Sequence, residues 1–304
     1  MTTLPLQPLD DVAGERVPEG LPSVIDAHVH VFPDALFDAV WDWFDRFGWP
    51  IRYRYHTERL VAFLLERGIR HIVALQYAHK PGIADGLNRY MAALVRRNRS
   101  VTGLATVFPG EPDTRAILET AFRNGLKGVK LHSHVQCFKM DSPGMHEVYR
   151  VCCDFDVPLL IHAGREPKSP AYACDPHRLC HWTFVEEVLG AYPRLKLVVP
   201  HLGADEFEAY QRLQERHANL WLDTTMVLAD YLPLGSLPRI DRLRPDRLMY
   251  GSDFPNIPYA WDRELRRLAA MELEKGFLRG LLGENAAALF GIQLDRGAGK
   301  DGQQ

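Results

Sequence analysis

Cysteine is scarce and irregular in this chain. There are five in 304 residues, two of them adjacent at Cys152 and Cys153, an odd set without the spacing of a disulfide framework. Free thiols and a reducing cytosol are therefore expected. Long apolar runs are missing too, and no stretch approaches the roughly 20 residues that a membrane-crossing helix needs. The opening residues lack the basic start and apolar core of a secretory leader. A surplus of positive charge is also absent. The formal net charge of −3 leaves no electrostatic footprint for nucleic acid or an anionic membrane. These absences predict a soluble, cytoplasmic protein.

What the chain does contain is alternation. Apolar, β-rich runs at Val24–Val31, Ile69–Gln76, Val101–Phe108, Gly128–Ser133, Val157–Ala163, Leu195–His201, Leu220–Thr224 and Arg247–Asp253 read as strands. Helical patterns lie between them, near Ala84–Arg97, Asp113–Asn124, Gly144–Asp154, His181–Ala191 and Asp205–Arg216. An earlier helix has Thr57 as its expected N-cap, a stripe of Leu60, Val61, Leu64 and Leu65, and Gly68 as its stop. Eight strands alternating with helices, with no glycine-rich phosphate loop after the first, predict an α/β fold of the (β/α)8 TIM-barrel type. No break in composition divides the chain. One barrel domain over 23–294 is expected, with an N-terminal extension over 1–22 and a flexible tail over 295–304; both ends read as mobile or draped over the surface.

The first strand-like run, Val24-Ile-Asp-Ala-His-Val-His-Val31, places His28 and His30 two residues apart. On a strand such residues face the same way, so two imidazoles can grip one metal ion. His162, His201 and Asp253 each end a further strand-like run and are followed by turn residues. A barrel gathers its strand ends at one cavity, and unpartnered polar groups are costly to bury there. Neutral imidazoles with a carboxylate suit Zn²⁺, with Mn²⁺ or Fe²⁺ also compatible because no thiolate biases the set.

His28-Xaa-His30, the strand-end histidines in Pro158-Leu-Leu-Ile-His162 and Pro200-His-Leu-Gly203, and Gly251-Ser-Asp-Phe-Pro255 resemble the amidohydrolase superfamily. The likeness is to its amidohydrolase-related branch, which holds aminocarboxymuconate-semialdehyde decarboxylase and resorcylate-type decarboxylases beside hydrolases. It runs from about Val24 to Phe290. The resemblance implies that His28, His30, His162 and Asp253 bind one divalent metal and that His201 stands beside it as acid/base, with Asp253 sharing the proton work. It also implies a homodimer. In binuclear relatives a carboxylated lysine on the fourth strand bridges two metals, and Lys130 occupies that strand here. The branch implies one metal, with Lys130 as an ion-pair or carbonyl-polarising group.

Further residues are expected to meet substrate. Lys130 and His132 share a face of the fourth strand, and His134 lies just beyond. Arg165, Tyr172 and His177 lie in the connection after the fifth strand. Arg52 and Arg54 sit in a connection rich in aromatics (Trp41, Trp43, Phe44, Phe47, Trp49, Tyr53, Tyr55), which reads either as a helix on the barrel rim or as a pocket wall. Guanidinium forks match carboxylates, so these two arginines are the expected clamp for an anionic group. Cys174, His177, Cys180 and His181 offer zinc-like ligand types without a standard spacing. The expected reaction is metal-dependent hydrolysis of an amide, lactone or ester. The alternative is non-oxidative decarboxylation of an aromatic or unsaturated acid, and a barrel retaining metal without chemistry is the third class.

Overall fold

The computed structural model describes residues 4–234 and 237–293; the tail expected over 295–304 lies outside them. Eight parallel strands run in chain order: β1 Val24–His30, β2 Ile69–Leu75, β3 Val101–Gly103, β4 Val129–His132, β5 Leu159–His162, β6 Leu197–Val199, β7 Leu220–Asp223 and β8 Leu248–Met249. They pair as β1-β2-β3 and β4-β5-β6-β7-β8. Both seams are bonded. Ala105 bridges Val129, donating to the Gly128 carbonyl and accepting from the Lys130 amide, each at 2.8 Å. On the other side Val29 bridges Phe254, and the Asp253 amide donates to the His28 carbonyl at 3.0 Å. The architecture is a (β/α)8 barrel.

The helices are α1 Asp34–Phe47, α2 Thr57–Glu66, α3 Ala84–Arg97, α4 Thr114–Arg123, α5 Ser133–Gln136, α6 Pro143–Asp154, α7 Trp182–Ala191, α8 Phe207–Arg216, α9 Arg263–Ala270, α10 Lys275–Arg279 and α11 Asn285–Phe290. The β7–β8 connection carries short 3₁₀ turns in its described residues instead of an α-helix. Thr57 is the first residue of α2 and not its cap; its hydroxyl donates to the Phe32 carbonyl. Gly68 does stop that helix, at a φ of +99° open to glycine at little cost.

Side-chain alternation places the layers. Val73, Leu75, Leu104, Leu160, Val198 and Met249 form one buried cluster with α11, while their neighbours Ile72, Ala74, Leu159, Ile161, Leu197 and Val199 belong to the larger core beneath the helices. Lys130 pairs with Leu160 in register, and His132 with His162. One step up each strand, the apolar fill of the barrel gives way to polar side chains.

Residues 4–22 lie over the barrel. Leu4 is buried and its amide donates to the Lys168 carbonyl, and Leu9 bonds to Pro258. No helix of the described residues is long and apolar enough to cross a membrane. The expectation of five free thiols is corrected. Cys137, just after α5, is disulfide-bonded to Cys174 in the connection after β5, with Cα atoms 5.8 Å apart, a separation typical of the bond. Cys152, Cys153 and Cys180 are free.

Candidate metal centre and active site

Asp26 sets the seam at which the first and last strands meet. Its carboxylate accepts from the amides of His28 (3.2 Å) and Ser252 (3.0 Å) and from the Ser252 hydroxyl. That arrangement fixes Asp253 against β1. The β1 register shifts between Asp26 and Val29, yet both histidines still reach the same carboxylate oxygen. Asp253 Oδ1 lies 3.3 Å from His28 Nε2 and 3.1 Å from His30 Nε2. Gly251 leaves room for this approach: a Cβ there would come within 2.6 Å of His28 Cβ and 2.4 Å of Thr225 Oγ1.

Hydrogen bonds fix the tautomers. His28 Nδ1 faces Asp223 Oδ2 at 2.9 Å, and a carboxylate can only accept, so Nδ1 carries the proton and Nε2 presents a lone pair. His201 Nδ1 donates to the Thr225 carbonyl at 2.9 Å, which leaves its Nε2 bare in the same way. Asp223 Oδ1 also accepts from the His201 amide at 3.1 Å, so one carboxylate holds two strand-end histidines. His201, Leu202 and Ala204 have positive φ, a conformation that costs side-chain-bearing residues energy and collects at functional sites.

A second group faces the first. Glu166 Oε1 lies 3.0 Å from His162 Nε2 and 3.3 Å from His201 Nε2. His28, His30 and Asp253 thus form one set of convergent ligand atoms, and His162, Glu166 and His201 form another. His30, His162, Glu166, His201 and Asp253 line one small chamber with Trp43, Trp49, Tyr77, Tyr172, Met226 and Asn256. A third grouping, His132, His134 and His162, continues outward; the His132 ring stacks on His162 with centroids 4.0 Å apart.

The donor set suits a divalent cation. His28 Nε2, His162 Nε2, His201 Nε2 and Glu166 Oε1 are buried with no hydrogen-bond partner among the described residues, a costly arrangement without a ligand to satisfy it. Burial pushes the imidazoles of His28 and His162 well below the ordinary histidine value, and neighbouring Lys130 and histidines add to it. They are neutral, the form that binds metal. The Asp223 carboxylate behind His28 is the outer partner that orients a ligating imidazole.

The remaining expected residues divide. Lys130 is fully buried with an unpartnered Nζ, and burial pushes its pKa down to about 8 against the pull of Asp253, Asp223 and Glu166. His132 and Tyr172 line the chamber. Arg52, Arg54 and Arg165 do not. Arg52 bonds Asp11, Arg54 pairs with Asp45, and Arg165 lies between Asp205 and Glu206. Arg52 and Arg54, expected as a clamp, are each met by a carboxylate outside the chamber. His177 Nε2 bonds the Glu166 carbonyl at 2.7 Å. The zinc-like cluster is dispersed, with Cys174 disulfide-bonded, Cys180 beside His134 and His181 beside Glu206.

Sequence reading missed Glu166 and Asp223. Asp223 ends β7 and shares the strand-end position that singled out the histidines. Glu166 lies four residues past His162, in the kind of βα connection that builds such sites.

A family model for amidohydrolases matches residues 25–292. The chain belongs to the amidohydrolase family. Solved structures share its barrel at low identity. The 5-carboxyvanillate decarboxylase of Novosphingobium aromaticivorans, in complex with manganese and 4-hydroxy-3-methoxy-5-nitrobenzoic acid, superposes with a TM-score of 0.66 at 18% identity, covering 92% of this chain and 100% of that one. The 5-carboxyvanillate decarboxylase of Sphingomonas paucimobilis gives 0.63 at 19%, covering 89% and 99%. A protein of Acinetobacter baumannii described as a probable 2-pyrone-4,6-dicarboxylic acid hydrolase, with citric acid bound, gives 0.59 at 17%, covering 89% and 100%. No curated protein matches the sequence. The family is one of enzymes, and its fold serves both carboxy-lyases and hydrolases.

Proposed function

We propose that this protein is a metal-dependent hydrolase that cleaves an amide, lactone or ester of a small molecule. One observation carries the choice. The chamber holds two carboxylates, Glu166 and Asp253, and no arginine lines it among the described residues; the buried ammonium of Lys130 is drawn toward those same carboxylates and Asp223. A decarboxylase must bind an anionic substrate at the reacting centre, where like charge is unfavourable. Hydrolysis of a neutral group meets no such penalty.

His28, His30, His162 and Asp253 are the proposed holders of one divalent ion; zinc suits them, and manganese is the alternative. Such an ion supplies Lewis acidity and lowers the pKa of water. His201 is the proposed acid/base group. Its Nδ1–H is anchored on Thr225, so Nε2 can take a proton and return it to a leaving group, with Asp253 assisting. Lys130 and His132 are proposed to polarise or contact the substrate. Decarboxylation of an aromatic acid stays as the second reading, favoured by the aromatic wall of Trp43, Tyr77 and Tyr172. A cytoplasmic homodimer is also proposed, to be read by fractionation and sedimentation, although the Cys137–Cys174 pair removes the thiol support for that compartment.

Metal-loaded protein assayed in H₂¹⁸O against esters, lactones, amides and carboxylated aromatics tests the reaction class. Label in a cleaved acid is expected. Release of CO₂ without label in the product would reverse the assignment.

A further inference from the structure

The metal chamber is small, about 50 Å³, enough for a reacting group and little more. Beside it a cleft of about 340 Å³ shares Trp43, Phe44, Tyr77, His132 and Tyr172 with the chamber, so the two are continuous. Ligand pockets start at about this size.

The cleft has two walls. One is α1, which carries two apolar stripes. Phe37 and Trp41 are buried in the core, while Leu36, Val40 and Trp43, at helical spacing, line the cleft. The other wall comes from the connections after β4 and β5, with His134, Val135, Ala171, Tyr172 and Ala173. The Cys137–Cys174 disulfide ties these connections together one or two residues from Val135 and Ala173. Trp43 stacks on Tyr172 across the cleft, centroids 5.4 Å apart and planes 30° off parallel. Tyr172 in turn meets His134 edge-on, and His134 meets His162, so the aromatic contacts run inward to the metal chamber.

No Asp, Glu, Lys or Arg lines the cleft among the described residues. Its only titratable groups besides the tyrosines are His79, His132 and His134. His132 stacks on His162 and His134 meets it edge-on, so both imidazoles present ring surface to the aromatic row.

Resting on the hydrolase reading above, we propose that this cleft is the subsite for an uncharged aromatic arm of the substrate, held between α1 and Tyr172 while its ester, lactone or amide enters the metal chamber. Flat rings pack against the open edge of the Trp43–Tyr172 pair, and the apolar stripe of Leu36 and Val40 excludes water. A charged arm would lose its hydration with no counter-ion to meet it.

The test uses binding, which does not depend on turnover. 2-Naphthamide and 6-carboxy-2-naphthamide, which differ only at the far end of the arm, are titrated into metal-loaded protein by calorimetry. The uncharged arm is expected to bind at least tenfold more tightly than the carboxylated one. Val40→Trp, which fills the cleft from α1, should weaken 2-naphthamide at least tenfold with metal content unchanged; Ala39→Leu provides the same check if that variant does not fold. Equal binding to wild type and a folded filled-cleft variant, or preference for the carboxylated arm, would overturn the subsite. Amide binding that the variants abolish, with no ester, lactone or amide hydrolysed, would uphold the subsite and sink the reaction class. Hydrolysis of small esters without naphthamide binding would do the reverse.

Discussion

Asp223 Oδ2 and His28 Nδ1 lie 2.9 Å apart at the closed end of the metal chamber. The other oxygen of the same carboxylate accepts from the amides of His201 (3.1 Å) and Thr225 (3.2 Å). Both oxygens are thus acceptors. In Asp223→Asn one would become an NH₂ donor facing a donor. If it faces His28, the imidazole turns to its other tautomer and Nε2 loses its lone pair. Metal affinity should fall by roughly 10- to 100-fold, the usual scale for a lost orienting partner, as read by competition with a fluorescent chelator. Unchanged affinity would show that the Asp223 contact does not set the His28 tautomer for metal binding.

Metal content distinguishes the two facing donor sets. Protein purified without chelator should contain close to one transition metal per chain by elemental analysis. A value near two would place a second ion at His162, Glu166 and His201, and no metal after reconstitution would remove the metal reading altogether.

His201→Asn should retain the metal and the fold while slowing turnover by roughly 10²-fold or more, the contribution of a positioned acid/base group. The split between metal content and kcat is what matters. Loss of the metal in this variant would make His201 a ligand.

Arg54→Ala should leave kcat/KM within about twofold, because its guanidinium pairs with Asp45 in an exposed ion pair, and such pairs contribute at most about 1 kcal/mol. A large loss confined to carboxylated substrates would restore the clamp and favour decarboxylation.

The sequence disclosed positions better than pairings. Each of the eight strands was legible from its apolar run, but the runs outlast the ladders. Val101–Phe108 reads as one strand, whereas β3 stops at Gly103 and Ala105 turns its hydrogen bonds to β4. Arg247–Asp253 contains only Leu248–Met249 as β8; beyond it Gly251 passes close against His28 and Asp253 takes a left-handed backbone conformation. Periodicity reports which face a side chain takes, not which neighbour its amide finds. For the same reason the strand-end histidines and Asp253 were readable, while the Arg52–Asp11 and Cys137–Cys174 contacts, 41 and 37 residues apart in sequence, were not. The grouping of His162 with Glu166 also depends on how a connection folds back, which spacing does not encode.

The link from Asp26 to Ser252 spans 226 residues, and it carries a consequence for biosynthesis. His28 and His30 leave the ribosome early, but their carboxylate partner Asp253 is made only after all eight strands have been synthesised. Until then the chain carries its imidazoles without the carboxylate that joins His28 and His30, so tight capture waits for barrel closure. Metal uptake therefore reports completed folding, and a chain halted before Leu248 should emerge metal-free.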